Sequence, residues 1–218
     1  MINFANKNRN MKQYNLGFVS DEEIYNHVKS TVLQYRRSIN LKEFNKNIID
    51  PIKLTFDSKI YGQTMAQTIE SECIRQIDKT NNNRIGYFHQ YLFKLAGNGW
   101  EVPANGDKGG FDVLNDDLHI YVEMKNKPNR MKHSAKRALA IKAFDRLLRD
   151  KEATVMVVDM QNHSGINMPL IIRADGGSFV NDRLRLVSID KFYDVIFSYE
   201  GAYSCICNVL PQILSDIN

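Results

Sequence analysis

The sequence predicts an α/β domain in which a layer of helices at the N-terminus precedes a β-sheet. Apolar residues recur at helical spacing through most of residues 21–97. Short apolar runs bounded by turn residues begin at Trp100, and such runs are typical of strands. A chain of 218 residues with 43% hydrophobic residues can fill one sizeable core, so we expect a single domain spanning residues 1–218.

The N-terminal layer is predicted from helix signals and helix periodicity. Ser20 and Glu23 have the spacing of a capping box, which predicts a helix that ends near Arg37. Asn40 is expected to cap a second helical stretch, which Pro51 should interrupt because it lacks an amide hydrogen. Two more helices are predicted in residues 65–77 and 85–97, on either side of a polar break at residues 81–83.

The sheet is predicted from alternating and continuous apolar runs. Three short strands are expected in residues 100–102, 111–114 and 118–125, with a tight turn at residues 115–117. A basic amphipathic helix in residues 134–149 and a buried strand in residues 154–158 should follow. The remaining predicted elements are strands in residues 170–172 and 184–187, a helix that Ser188 caps and that ends at Phe197, and a helix in residues 202–217.

Several classes of protein are disfavoured by composition. No apolar run approaches the roughly 20 residues of a membrane helix, so no membrane partner is expected. Residues 1–13 are rich in Asn and Lys, lack the apolar centre of a signal peptide and are a candidate for disorder. Cys205 and Cys207 lack the spacing of a zinc knuckle, which favours reduced thiols in a cytoplasm.

One group of charged residues indicates chemistry. Strand alternation places Glu123 and Lys125 on one face of the strand in residues 118–125. Asp112 lies on the preceding strand, and a short hairpin would bring its carboxylate beside Glu123. An exposed edge strand would also alternate charges in this way, and for an isolated Glu-x-Lys that interpretation is the better one. Asp112 upstream, the glycines before it and the run of cations after Lys125 together favour a catalytic site over an exposed edge strand.

We expect this site to hold Mg²⁺. Carboxylates that are brought together repel each other when ionised, and a hard cation removes that repulsion. The predicted ligands are Asp112, Glu123 and the backbone carbonyl of Met124. Lys125 would orient a water and offset charge on a phosphorane-like transition state, which predicts phosphodiester hydrolysis.

Residues on either side of the site are suited to DNA. The glycines of residues 107–110 would let a DNA backbone approach, although turn formation explains them equally well. Residues 125–137 contain six cations and no acidic residue, which would form a positive patch near a bound phosphate.

The segments Gly110–Asp112 and Tyr121–Lys127 resemble the metal site of the PD-(D/E)XK nuclease superfamily, with Phe111 in place of the motif's proline. Further blocks resemble the type II restriction endonucleases that cut GGNCC, and together they cover nearly the whole chain: Asn15–Phe18, Asn40–Asn45, Ile85–Gln90, Trp100–Pro103 and Val187–Tyr193. Residues 128–135 depart from that group, which leaves the exact recognition sequence open.

The resemblance implies a PD-(D/E)XK nuclease-like central mixed sheet flanked by helices, and magnesium-dependent cleavage of double-stranded DNA. It implies a homodimer in a bacterial cytoplasm, because a two-fold dimer presents one active site to each half of a palindrome. A companion DNA methyltransferase is expected in the same cell. Superfamily members often add a helical carboxylate to the site, which here would be Glu72 or, as a second choice, Glu70.

Candidate DNA contacts follow from the same resemblance. Arginine and lysine suit guanine in the major groove, whereas lysines near the catalytic strand suit phosphates. Arg183 and Arg185 share one face of a predicted strand, as a groove-reading ribbon requires. The full set of candidates is Lys127, Asn129, Arg130, Lys132, Lys136, Arg137, Arg173, Arg183 and Arg185.

Two alternatives stay open at this point. The same metal site could serve a structure-specific repair or junction-resolving nuclease, which would not cut plasmid DNA into discrete fragments. A relative that binds DNA without cleaving it is the second alternative, against which the intact Asp112, Glu123 and Lys125 argue.

Overall fold

The computed structural model describes residues 13–47, 49–104, 107–174 and 177–217. The candidate disordered segment, residues 1–13, therefore lies almost wholly outside the described residues. The chain divides into two compact units, one containing residues 29–89 and the other containing the residues before 29 and after 89.

Four helices lie wholly or partly in the unit of residues 29–89, and their bounds are α1 (Asp21–Gln34), α2 (Leu41–Phe44), α3 (Pro51–Ile60) and α4 (Met65–Lys94). The predicted capping box is present, since the Glu23 amide donates to Ser20 Oγ at 3.3 Å and the Ser20 amide donates to Glu23 at 3.2 Å. Asn40 caps α2 as predicted, through its side-chain oxygen and the Glu43 amide.

Two predictions for this unit are wrong. Pro51 begins α3 instead of interrupting a helix, because the first turn of a helix needs no amide donor and Asp50 caps it. The polar residues 81–83 do not break the chain, and α4 continues through them. Asn81 satisfies its side chain by exchanging hydrogen bonds of 2.8 and 3.0 Å with the Arg36 backbone, so the helical backbone is left intact.

The other unit contains a mixed six-stranded sheet in the order β1-β2-β3-β4-β8-β5. The bounds of its strands are β1 (Trp100–Glu101), β2 (Val113–Asn115), β3 (Ile120–Lys125), β4 (Thr154–Asp159), β5 (Asn167–Pro169) and β8 (Leu184–Ser188). A separate hairpin joins β6 (Ile172–Ala174) to β7 (Gly177–Phe179). The strand predicted in residues 170–172 is therefore wrong in its bounds, because β5 ends at Pro169 before β6 begins.

Three helices flank the sheet: α5 (His133–Arg149), α6 (Ile189–Phe197) and α7 (Ala202–Ile217). The helix α5 connects β3 to β4, which pair in parallel. Such a connection needs a crossover, and α5 provides it. The predicted α/β fold with a central mixed sheet and flanking helices is confirmed.

One large cluster of the core of this unit lies between α5 and the sheet. Its buried residues include Phe111, Tyr121, Leu139, Ala143 and Val157. Tyr121, Glu123 and Lys125 lie on the same face of β3 because side chains alternate along a strand, and this face therefore points towards α5. None of the helices in the described ranges is both long and apolar enough to cross a membrane.

Candidate active site

The site is built on the hairpin of β2 and β3. Val113 pairs with Val122 in the antiparallel ladder, and the Asp112 amide continues the ladder by donating to the Val122 carbonyl at 2.9 Å. The Met124 amide donates to Asp112 Oδ2 at 2.7 Å. These two hydrogen bonds hold the Asp112 carboxylate beside the strand segment that carries Glu123 and Lys125, as the sequence predicted.

Asp112 has an unfavourable electrostatic environment. Burial raises the pKa of its carboxyl above the ordinary value, and the negative charge of Glu123 acts in the same direction. The hydrogen bond from Met124 and the charges of Lys125 and Lys142 oppose this increase in pKa without cancelling it. An ionised Asp112 therefore lacks full compensation from the protein and would gain from a cation.

Glu123 is buried, with 8% of its surface exposed, although it is charged. Its two carboxylate oxygens have different partners. Lys125 Nζ lies 2.5 Å from Oε1, and Lys142 Nζ donates to Oε2. Two ammonium groups therefore compensate one buried carboxylate.

Lys142 is a site residue that sequence reasoning missed. It lies on α5, where it also donates to the Gly110 carbonyl at 2.9 Å and lies 4.6 Å from the centre of the Phe111 ring. In the sequence it looks like any other lysine of a basic amphipathic helix. Only the crossover, which turns this face of α5 towards β3, reveals its role, so the sequence holds no local signal for it.

The turn that precedes Asp112 is shaped by glycine and a lysine. Gly109 and Gly110 have φ angles of 79° and 73°, which residues with a Cβ rarely adopt. Lys108 holds the turn by contacting Glu101 at 2.6 Å and Asp116 at 3.2 Å. Turn geometry therefore accounts for both glycines, and an approach to DNA is not needed to explain them.

The residues present fit Mg²⁺. No group of three or more His, Cys, Asp or Glu side chains within the described residues is arranged to hold a metal. Magnesium does not require one, because it commonly binds through one or two carboxylates and takes its other ligands from water and substrate phosphates. The carboxylates of Asp112 and Glu123 supply that donor set.

Glu72 has partners of its own in the unit of residues 29–89. It is buried, and Arg75 binds both of its oxygens while Gln76 donates to one of them at 3.1 Å. The hydrogen bonds from Arg75 lower the pKa of the carboxyl. These contacts favour a structural role, and the participation of Glu72 in catalysis stays a prediction.

The candidate DNA contacts nearest the site follow β3 directly. Lys127, Asn129 and Arg130 are exposed in a loop whose 3-10 turn spans Pro128–Arg130. Lys132 immediately precedes α5, and Lys136 and Arg137 lie in its first turns. The predicted positive segment therefore begins where β3 ends.

The arginines further along the chain have different surroundings. Arg183 donates to the carbonyls of Asp150, Ala153 and Leu147 at 2.8 to 3.2 Å, which fixes the connection between α5 and β4. Arg185 is bound to Asn167 on the neighbouring strand β5. Arg185 lies in β8, an inner strand of the sheet, and Arg183 immediately precedes that strand, which does not match the expected groove-reading ribbon. Arg173 is exposed on β6.

Comparison with known proteins decides the family. Residues 16–218 match the Eco47II restriction endonuclease family. The chain belongs to this family. It is 26% identical to the type II restriction enzyme Sau96I of Staphylococcus aureus over 212 residues, which cover 92% of this chain and 80% of that enzyme. It is also 26% identical to the type II restriction enzyme Eco47II of Escherichia coli over 216 residues, or 93% of this chain and 87% of that enzyme.

Membership of the Eco47II restriction endonuclease family confirms the prediction of a type II restriction endonuclease. The substrate class of the family is DNA, and type II restriction enzymes generally use a divalent metal. No solved structure gives a significant match to the chain.

Proposed function

We propose that this member of the Eco47II family is a magnesium-dependent PD-(D/E)XK endonuclease that hydrolyses double-stranded DNA at GGNCC. One observation carries the proposal. The hydrogen bond from the Met124 amide to Asp112 places two carboxylates and Lys125 together at the end of β3. Membership of the family supports the cleavage of DNA as the reaction, and this geometry supports Asp112, Glu123 and Lys125 as the residues that carry it out.

Asp112, Glu123 and the backbone carbonyl of Met124 would hold the Mg²⁺. When bound, it supplies Lewis-acid stabilisation of the negative charge on the scissile phosphate. The raised pKa of Asp112 supports this assignment, since a carboxylate that the protein compensates incompletely has the most to gain from a cation.

Lys125 and Lys142 have separate roles in this proposal. Lys142 has three contacts, with Glu123, Gly110 and Phe111, and it fixes Glu123 Oε2. Within the part of the chain that the structure describes, the Lys125 ammonium has an ion pair only with the other oxygen, and it is more exposed, at 36% against 23% for Lys142. Lys125 is therefore the ammonium that can leave Glu123, orient the attacking water and offset charge on the transition state.

Binding to DNA is assigned first to the cations after β3. Lys127, Lys132, Lys136 and Arg137 would contact phosphates and position the duplex without selecting a sequence. Arg173 stays a candidate for base reading because its side chain is exposed. The contacts of Arg183 with the α5–β4 connection and of Arg185 with β5 support structural roles for both.

The assembly and cellular setting follow from the proposed substrate. GGNCC is a palindrome apart from its central pair, so a homodimer of single-domain subunits would place one active site on each strand. An enzyme that cuts such a short site requires a companion methyltransferase to protect the DNA of its own cell. Both enzymes would work in the bacterial cytoplasm.

The test is incubation of the purified protein with a fully sequenced plasmid, in magnesium or in EDTA, followed by mapping of the fragment ends. Discrete cuts at GGNCC that require magnesium are expected. Discrete cuts at another short palindrome would overturn the recognition sequence alone. An intact plasmid would overturn the proposed activity.

The residue assignment needs its own variants. Asp112→Asn and Glu123→Gln should abolish cleavage while keeping the binding of DNA in calcium, which fills such sites but supports hydrolysis poorly. Lys151→Ala is the control, because Lys151 is exposed in the loop between α5 and β4. Normal cleavage by both carboxylate variants would show that the metal site is elsewhere.

A further inference from the structure

A polar cavity of about 360 Å³ lies next to the active site. Its walls are two loops, residues 126–130 after β3 and residues 159–163 after β4, and all eight residues that line it are polar or charged. Of these two loops, only the first contains residues that the sequence predicts to contact DNA. The second loop includes Asp159, Gln161 and His163.

The pairing of the strands places this cavity at the active site. Because β3 and β4 are parallel, their carboxyl ends lie at the same edge of the sheet, and Lys125 pairs with Asp159 there. The Met160 amide also donates to the Lys125 carbonyl at 2.9 Å. The residue assigned to catalysis is therefore joined directly to one wall of the cavity.

Both walls are fixed by the protein itself. The Arg130 amide donates to the Lys127 carbonyl at 3.0 Å, and the proline between them, Pro128, is buried. On the other wall the Gln161 amide donates to Asp159 Oδ1 at 3.2 Å. A cavity that is formed in advance binds a ligand without first ordering its loops.

The side chains that face outward still have unused hydrogen-bonding groups. Among the described residues, no hydrogen-bond or ion-pair partner is found for the side chains of Lys127, Asn129, Arg130 and Gln161. They offer a guanidinium, an ammonium and two amides within one cavity. The Asp159 carboxylate adds a negative charge to the same lining.

The mixture of charges identifies the ligand. A site for phosphate would be lined by donors and positive charge, and a carboxylate such as Asp159 would oppose it. A G·C base pair presents acceptors on guanine and an amine donor on cytosine, so it needs a donor and an acceptor together. The cavity has both kinds of group.

We propose that this cavity reads the major-groove edge of a G·C pair next to the scissile phosphate. Arg130 donates to O6 and N7 of guanine, while the side-chain oxygen of Gln161 accepts the one free hydrogen of the cytosine amine, beside the Asp159 carboxylate. The inference rests on the proposed function, and it adds the loop of residues 159–163 to the DNA-binding surface.

The test measures binding in calcium by fluorescence anisotropy, with a short labelled duplex that carries one GGNCC and a matched duplex without the site. Arg130→Ala and Gln161→Ala should each weaken binding to GGNCC by about 5-fold to 150-fold, the range of one base contact, and leave binding to the other duplex unchanged. Lys136→Ala should weaken binding to both duplexes equally, as a phosphate contact does. Lys151→Ala should change neither.

Two results would overturn the inference. An equal loss of affinity for both duplexes in Arg130→Ala and Gln161→Ala would show that the cavity contacts the DNA backbone. Unchanged binding in both variants would show that it does not touch DNA. A wild-type protein that prefers a different short site is tested with that site in the duplex, and a wild type without any preference would overturn the proposed function and this inference together.

Discussion

Lys142 on α5 and Lys125 on β3 bind opposite oxygens of the Glu123 carboxylate. The two ammonium groups are not equivalent, since only Lys142 also binds the Gly110 carbonyl and covers the Phe111 ring. Glu123 can therefore lose Lys125 and stay in place. In the proposed mechanism, the stability of the site therefore depends on Lys142 and its chemistry on Lys125.

Replacement of Lys142 should lower stability. Lys142→Met leaves Glu123 Oε2 and the Gly110 carbonyl without this donor, which is expected to lower the free energy of unfolding by about 1 to 3 kcal/mol. Urea denaturation in EDTA measures the change. The control Lys151→Met should stay within about 0.5 kcal/mol of wild type. Equal stability of the two variants would contradict the anchoring role of Lys142.

Removal of the Asp112 charge should have the opposite effect on stability. Asp112→Asn keeps an acceptor for the Met124 amide but removes a buried charge, so the free energy of unfolding in EDTA at neutral pH should rise by about 0.5 to 2 kcal/mol. Because the folded pKa of Asp112 is raised, wild type and variant should converge as the pH falls below the ordinary value of 3.8. A less stable variant at neutral pH would contradict this account.

Arg183 and Arg185 form a matched pair for separating structure from recognition. Arg183→Ala removes the donor of three backbone carbonyls and should lower the free energy of unfolding by about 2 kcal/mol or more. Arg185→Ala, which loses the contacts with Asn167 and a long hydrogen bond of 3.4 Å to the Asp182 carbonyl, should have a smaller effect. Neither variant should change the preference for GGNCC over a matched duplex. A stable Arg183→Ala protein with relaxed preference would restore Arg183 as a base-reading residue.

A pH-dependent contact joins the β2–β3 turn to the end of α5. His119 Nδ1 lies 2.8 Å from Asp150, which raises the pKa of His119 and lowers that of Asp150. The stabilising effect of His119 is complete below its ordinary pKa of 6.5 and is lost as the pH rises through its raised folded pKa. The effect of Asp150 is present above its ordinary pKa of 3.8. Both groups therefore stabilise the folded state between about pH 3.8 and pH 6.5.

His119→Asn tests this contact, since asparagine tolerates the positive φ of 53° at this position. The melting temperature of the variant should lie furthest below that of wild type near pH 5 and approach it above pH 8. Thermal unfolding followed by circular dichroism at both pH values measures the difference. A gap that is constant with pH would contradict an ionic contribution.

Local rules account for the juxtaposition of residues that was predicted correctly, whereas the catalytic roles of those residues stay predictions. Asp112, Glu123 and Lys125 belong to one hairpin, where strand alternation and a short turn determine which side chains meet. The capping box at Ser20 is equally local. Such contacts depend on a few neighbouring residues, so the sequence is sufficient to predict them.

Tertiary contacts account for what was missed or wrong. Lys142 reaches Glu123 only because the crossover helix packs on the sheet. Asn81 stays helical because a distant backbone segment at Arg36 satisfies it. Arg183 was expected to read bases, but its guanidinium binds backbone carbonyls of the protein itself. These outcomes depend on partners that lie far away in the sequence.

The hydrogen bond between the Met124 amide and Asp112 is formed within the β2–β3 hairpin and needs no residue from the loops around it. The two carboxylates proposed to bind the metal, Asp112 and Glu123, both lie in the β2–β3 hairpin, whereas the polar cavity is made by loops that follow β3 and β4. Residues 161–163, in the loop after β4, can be substituted without changing any residue of that hairpin. Under the proposed function and the proposed reading of a G·C pair, substitutions in this loop would change the target sequence without changing the residues assigned to cleavage.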